Sequence, residues 1–219
     1  GRSWSGALAA EVSAGWATCF AVVDDTRVVV TEDDQVHAYG TASATPRWTR
    51  RLESPSARVV ESDAGVVVSD QDPAKPGTQL ITVLDPASGA PRSALSPTCP
   101  GRDGGFPTTM NFADSVLAVP GSPDLVGSIS FGGTCLVRWD GTTGQVRWTT
   151  TAEAGGSLDD DDALITADRL FAPTADGAML SVDLATGGST RLALPPDVTA
   201  VPVAVSGSLL VAETTTTRG

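Results

Sequence analysis

One histidine, three cysteines and 26 carboxylates are the side chains with which this 219-residue chain could do acid–base, thiol or metal chemistry. A Ser-His-Asp relay could draw its base only from His37, and no GxSxG elbow, HExxH helix or GxGxxG loop accompanies it. His37 alternates with Val36 and Ala38, so a strand puts it on the face opposite those two, as a hydrogen-bonded histidine at a surface or between sheets. Cys19, Cys99 and Cys135 show no CxxC spacing and cannot combine with one histidine into a local zinc motif. Asp159 to Asp162, Asp24-Asp25 and Glu32-Asp33-Asp34 could offer oxygen ligands to calcium. The EF-hand spacing is absent, however, and adjacent aspartates on an extended loop point in different directions, so these are read as solvated charge runs. The sequence assigns no catalytic, metal-binding or cofactor-binding residue.

The formal charge of -12 excludes a phosphate-tracking nucleic-acid binder and a protein held on anionic lipid by its charge. No run approaches the ~20 apolar residues of a membrane span, so these residues do not insert into a bilayer, and no signal peptide opens the chain at Gly1. An export signal or an anchor upstream stays compatible with that. Lys75 is the sole lysine, and Ala, Val, Thr, Gly and Asp dominate, which fits a high-GC bacterial source. One disulfide with a leftover thiol fits an exported protein; three reduced thiols are the intracellular alternative. The Pro/Gly setting of Cys99 favours the oxidising compartment.

The elements that must position these groups are short β-rich runs. They start at Val28, Val66, Val116, Leu170 and Leu209, a mean spacing of about 45 residues, which is the period of four-stranded propeller blades. The expected blades occupy approximately 17–54, 55–98, 108–152, 162–196 and, in part, 200–219, with 1–16 the end of a preceding blade. In the third, Val116 to Val119 is taken as the second strand and Pro120 to Gly133 as a long middle loop. Thr214 to Thr217 is read as the start of a loop. The strand count is not a multiple of four, so the domain is expected to be incomplete or completed by a second chain, and its open edges would promote association.

The clearest unit is Leu136 to Trp148, a strand, an Asp-x-x-Thr-Gly turn and a strand carrying tryptophan. Asp140, Thr143, Gly144 and Trp148 make the full motif; Asp183, Thr186 and Gly187 match without the tryptophan. Asp85, Ser88 and Gly89 match loosely, and Trp48 and Trp4 keep only the aromatic. This pattern resembles the PQQ-like, quinoprotein-type β-propeller repeat family, here in an exported actinobacterial form. The resemblance implies an all-β propeller of four-stranded antiparallel blades, about four and a half in this chain. The motif is read as a structural staple: Asp bonds the turn backbone, Gly takes a positive φ, and Trp fills the wedge between blades while its indole N–H donates outward.

The family includes quinone-dependent dehydrogenases, which need a calcium-class ion, a catalytic Asp and, in many members, adjacent cysteines. Here the cysteines are far apart and Asn111 is the only asparagine, so no cofactor is expected. The preferred reading is a non-catalytic extracytoplasmic scaffold or accessory subunit, secreted or anchored by a segment outside this chain. Its partner would be a protein, whether a membrane complex or a second chain completing the propeller. The alternatives are a fragment of a quinone-dependent dehydrogenase and a ligand-sensing ectodomain. In such a blade the loop between strands two and three and the link to the next blade share one face, which leads to the expectation that Cys99 pairs with Cys135. Cys19 would then be a buried thiol or the partner of a cysteine elsewhere. The same loops carry Phe106, Leu125 and Phe131, the expected interaction face.

Overall fold

In the computed structural model the described residues are 19–24, 27–32, 35–40, 45–53, 58–75, 79–96, 116–130, 134–152, 163–174, 177–195, 198–206 and 209–216. They contain strands and turns and no helix. Blade I is the meander β1 (Cys19–Asp24), β2 (Arg27–Glu32), β3 (Gln35–Gly40) and β4 (Pro46–Arg51). Blade II comprises β5 (Arg58–Ser62), β6 (Gly65–Gln71), β7 (Gln79–Leu84) and β8 (Pro91–Leu95). Blade III holds β9 (Val116–Ala118), β10 (Asp124–Ser130), β11 (Thr134–Asp140) and β12 (Val146–Ala152). Blade IV is β13 (Leu164–Ile165), β14 (Arg169–Pro173), β15 (Met179–Asp183) and β16 (Ser189–Leu192), and β17 (Val198–Ser206) with β18 (Leu209–Thr216) forms the two-stranded sheet V. Every pairing is antiparallel between sequence neighbours. The first strands β1, β5 and β9 lie side by side, as do β13 and β17, so the meanders stack as successive propeller blades.

The period-two alternation of each strand becomes an alternation between seams. Val66 and Val68 enter the core between blades I and II, while Val67 between them enters the core between II and III. Leu125 and Val126 divide in the same way between seams II/III and III/IV, and Leu170 and Phe171 between III/IV and IV/V. Both faces of a middle blade are therefore apolar, which explains the unbroken aliphatic run Val66-Val67-Val68 in β6.

Blade III corrects the strand phase expected from the sequence. Val116 begins the first strand, and the second is Asp124–Ser130, paired with β9 through Val126 to Leu117 and with β11 through Val126 to Arg138. Among the described residues of the expected loop only 120–123 turn: Val119 N–H donates to Asp124 O at 3.0 Å, Ser122 N–H donates to Val119 O at 3.1 Å, and Gly121 has φ +69°. Half of the expected loop, Asp124–Ser130, is strand. Leu125, expected at an interaction face, is 0 % exposed in the II/III core. Its Gly- and Ser-rich neighbours mimic loop composition, yet Gly127 and Ser128 are buried, so their small size serves packing. At the other end Thr214 to Thr216 lengthen β18, where they pair with Ala200, Thr199 and Val198 instead of opening a loop.

Candidate functional site

The Asp-x-x-Thr/Ser-Gly turns are built alike in three blades. Asp85 Oδ1 accepts the N–H groups of Ala87 and Ser88, both at 2.9 Å, and the Ser88 hydroxyl at 3.0 Å. Asp140 Oδ1 accepts Thr142 N–H at 2.8 Å and Thr143 N–H at 3.1 Å. Asp183 Oδ1 accepts Thr186 N–H at 2.9 Å and its hydroxyl at 3.0 Å. In each case the glycine N–H returns to the aspartate carbonyl at 2.8 Å, and Gly89, Gly144 and Gly187 have φ of +71°, +74° and +74°. That left-handed backbone is why glycine ends the motif.

These bonds set the charge state of the aspartates. The Arg92 guanidinium, bonded to Asp85 at 2.6 Å and helped by Ser88, holds the Asp85 carboxyl down at about 2. Burial acts to raise Asp140, but the N–H donors of Thr143 and Thr142 and the charge of Arg147, 2.8 Å away, outweigh it, and the carboxyl lies below the usual range. The Thr186 N–H and hydroxyl lower Asp183. All three carboxylates stay ionised and engaged within their own turns, a structural role and not that of a proton donor.

Each turn is also the landing point of the preceding blade. The Trp48 indole N–H on β4 donates to Pro86 O at 3.1 Å, and the Trp148 indole N–H on β12 donates to Leu184 O at 2.7 Å. A Cβ added to Gly89 would sit 2.6 Å from the Trp48 ring, and one added to Gly187 2.9 Å from the Trp148 ring, so both glycines are needed for close approach as well as for φ. At seam II/III the equivalent place on β8 belongs to Ser93, whose hydroxyl donates to Gly141 O. Pro86, Gly141 and Leu184 each follow the turn aspartate, so one carbonyl position receives the neighbouring blade three times.

Sequence reasoning missed Ser93 and the arginines. Arg138 bonds Asp124 Oδ2 through Nε at 2.8 Å and also reaches Leu184 O in the next blade. Arg92 donates to Ala64 O at 2.6 Å. The available signal was an arginine seven residues after the turn aspartate, present in both Asp85/Arg92 and Asp140/Arg147.

The turns therefore occupy one face, where Gly141 N–H meets Pro123 O at 3.0 Å and Leu184 N–H meets Asp168 O at 2.8 Å. The interblade links and the loops between second and third strands emerge opposite. There Asp72 Oδ1 accepts Ala74 N–H at 2.9 Å and its Oδ2 accepts the Ser96 hydroxyl at 3.2 Å, tying one such loop to the end of β8. Cys135, the second residue of β11, is 3 % exposed and a half-cystine whose partner is not among the described side chains. Cys99, Phe106, Phe131, Trp4, Asn111 and Asp159 to Asp162 lie outside the described residues. His37 bonds Thr49 Oγ1 through Nδ1 at 3.0 Å, and its ring lies 6.1 Å from that of Tyr39. Among the described residues no group of three or more His, Cys, Asp or Glu side chains is placed to hold a metal ion, and no helix is long and apolar enough to cross a membrane.

A family model described as outer membrane protein assembly factor BamB, of the PQQ-repeat type, matches residues 1–75 and 77–215. The chain belongs to this family. Among solved structures, BamB from Moraxella catarrhalis is 21 % identical with a TM-score of 0.53 over 80 % of this chain and 52 % of its own. The quinohemoprotein alcohol dehydrogenase from Comamonas testosteroni is 14 % identical with a TM-score of 0.58, over 90 % of this chain and 39 % of its own. The computationally designed protein Ika8 is 15 % identical with a TM-score of 0.56, over 85 % and 55 %. At these identities the structural likeness carries the propeller fold alone. The BamB-like chain described here spans about half of the first and less of the dehydrogenase. No curated protein matches it.

Proposed function

We propose that this BamB-like propeller is a non-catalytic, extracytoplasmic scaffold or accessory subunit that binds a protein partner, such as a component of a membrane complex, through its link-side loops. The observation that carries the reading is the internal use of the motif carboxylates. Asp85, Asp140 and Asp183 are consumed by their turns and Asp124 by Arg138, which leaves a rigid frame with its two longest connections, β8 to β9 and β12 to β13, on one face. The scaffold reading is preferred to a quinone-dependent one because Cys19, Cys99 and Cys135 provide no vicinal pair and, among the described residues, the carboxylates are not grouped to hold an ion.

The Cys99–Cys135 disulfide is part of this proposal, since it would tie the long link to β11 on the binding face. Peptide mapping of the oxidised protein is expected to return that pair, and a Cys19–Cys135 peptide would overturn it. The scaffold reading is tested by replacing Phe106 and Phe131 singly with a photoreactive phenylalanine analogue in native cells. A discrete adduct with one membrane-complex subunit is expected at these positions and not at Val146 on the outer strand. Alcohol-dependent dye reduction on adding pyrroloquinoline quinone and calcium would replace the scaffold reading with the dehydrogenase one.

A further inference from the structure

Neighbouring blades meet face to face, so stacking leaves the outer edge of each blade's fourth strand with backbone N–H and C=O groups aimed at solvent. Proteins blunt such an edge with proline, charge or shortness, because it otherwise pairs with another chain. Three of the four described outer strands carry one of these devices. β8 (Pro91–Leu95) has five residues and opens on proline, and β16 (Ser189–Leu192) has four. β4 (Pro46–Arg51) opens on Pro46 and bears Arg47, Arg50 and Arg51, of which Arg47 and Arg51 are exposed. β12 (Val146–Ala152) has seven residues, no proline and one arginine, Arg147, whose charge is met by Asp140 at 2.8 Å and Asp124 at 3.6 Å. Among the described residues β12 ends its sheet, with its backbone paired to β11 alone.

β4 and β12 place the contrast on equivalent residues. Pro46-Arg47-Trp48-Thr49-Arg50-Arg51 and Val146-Arg147-Trp148-Thr149-Thr150-Thr151 correspond one to one, and Trp48 and Trp148 each sit beside the bulge of their pairing with the third strand. Two threonines thus stand in β12 where β4 has two arginines. Past that bulge β12 pairs regularly from Trp148 to Ala152, a stretch centred on Thr150, and Val146 and Thr151 near its ends are exposed. This edge is complementary to itself. Antiparallel pairing about a two-fold axis at Thr150 sets Thr149 against Thr151 and Trp148 against Ala152, β-branched and apolar pairs with no like charges opposed. The same operation on β4 about Thr49 sets Arg47 against Arg51 and is repelled.

We propose that two copies of this chain join edge to edge through β12, so that blade III of one continues as blade III of the other in a single eight-stranded sheet. The interface uses the perimeter of the propeller and none of the link-side loops, so it holds or fails independently of the scaffold reading; a photoreactive group at Val146 would report a second copy of the chain and not a membrane-complex subunit. Sedimentation equilibrium of the 219-residue chain across the micromolar range is expected to show a monomer–dimer equilibrium that stops at two, because pairing consumes the edge. Thr150→Arg/Thr151→Arg, which gives β12 the protection of β4, should raise the dissociation constant about tenfold or more with an unchanged circular dichroism spectrum. Thr190→Arg on β16 should leave it unchanged. Thr150→Glu/Thr151→Glu chains should be weakened alone and form a heterodimer when mixed with the arginine variant, a gain that a misfolded variant would not show. A monomer at every concentration, oligomers beyond two, or a dimer insensitive to both double substitutions would each overturn the proposal.

Discussion

Seams II/III and III/IV solve one packing problem with the same indole placed on opposite sides. At III/IV the outer strand of the earlier blade supplies Trp148, which lies against Gly187, and the residue before the next turn's aspartate is Val182. At II/III the outer strand supplies only Ser93, and the residue before the aspartate is Trp139, 1 % exposed among Val83, Leu125 and Val137. Seam I/II repeats the first arrangement, with Trp48 and Leu84. What recurs is the volume at the seam and a donor to the carbonyl after the aspartate, and either blade can provide the bulk. A close-packed interior requires only that the sum fit, which is how a repeat can lose its signature residue without losing its fold.

The largest way to break this comparison is to remove the indoles. Trp139→Ala should cost about 3–5 kcal/mol in denaturant unfolding, because a fully buried ring leaves a cavity. Trp148→Ala, partly buried, should cost about 2–3 kcal/mol through lost ring contact and the lost bond to Leu184 O. The exchange is tested by Ser93→Trp, which alone should overpack the seam by about 1–3 kcal/mol; adding Trp139→Leu should recover part of that loss, with a coupling of about 0.5–3 kcal/mol. Strict additivity of the two substitutions would end the shared-volume explanation.

A smaller effect sharpens it. Gly144 and Gly187 share a φ of +74°, but a Cβ on Gly144 would meet Ala94 O at 3.4 Å and Ser93 Cβ at 3.7 Å, ordinary contacts, whereas one on Gly187 would press on the Trp148 ring. Gly144→Ala should cost about 1 kcal/mol from backbone conformation alone, and Gly187→Ala about 1 kcal/mol more. Equal losses in a thermal melt would mean that the ring does not constrain the turn.

The smallest effect is electrostatic. Asp85 is lowered from the ordinary 3.8 to about 2, chiefly by Arg92, so its contribution is fully present above pH 3.8 and is lost as pH falls through about 2. Replacing Arg92 with Gln should raise the midpoint of acid unfolding. The same substitution at Arg169, which acts on Asp183 only as a minor charge, should move it less. An acid midpoint unmoved by Arg92→Gln would separate Asp85 from the stability of blade II.

Most of the strand and turn grammar was legible because it is local. Asp85, Asp140 and Asp183 find their partners within three residues and their glycines within four, so the sequence pattern and the hydrogen bonds coincide. Blade III was misread where local cues conflict with tertiary demand: Gly127, Ser128 and Ser130 carry loop composition but sit in a strand, and Val116 is an aliphatic run in a different phase from the others. Leu125 was consequently placed at a loop tip when it belongs to a core. Trp139 was visible in the motif, but nothing local distinguishes it from an ordinary strand aromatic.

By itself, then, the sequence determined the four-stranded repeat, the positions of its tight turns and the need for glycine at their ends, since all of these depend on backbone conformation and bonds between near neighbours. Only the tertiary structure decided which blade fills each seam and which carbonyl each outer strand reaches. Those choices join Ser93 to Gly141 and Arg138 to Leu184, 48 and 46 residues apart, and depend on summed side-chain volume across two sheets, a quantity that no short stretch of chain contains.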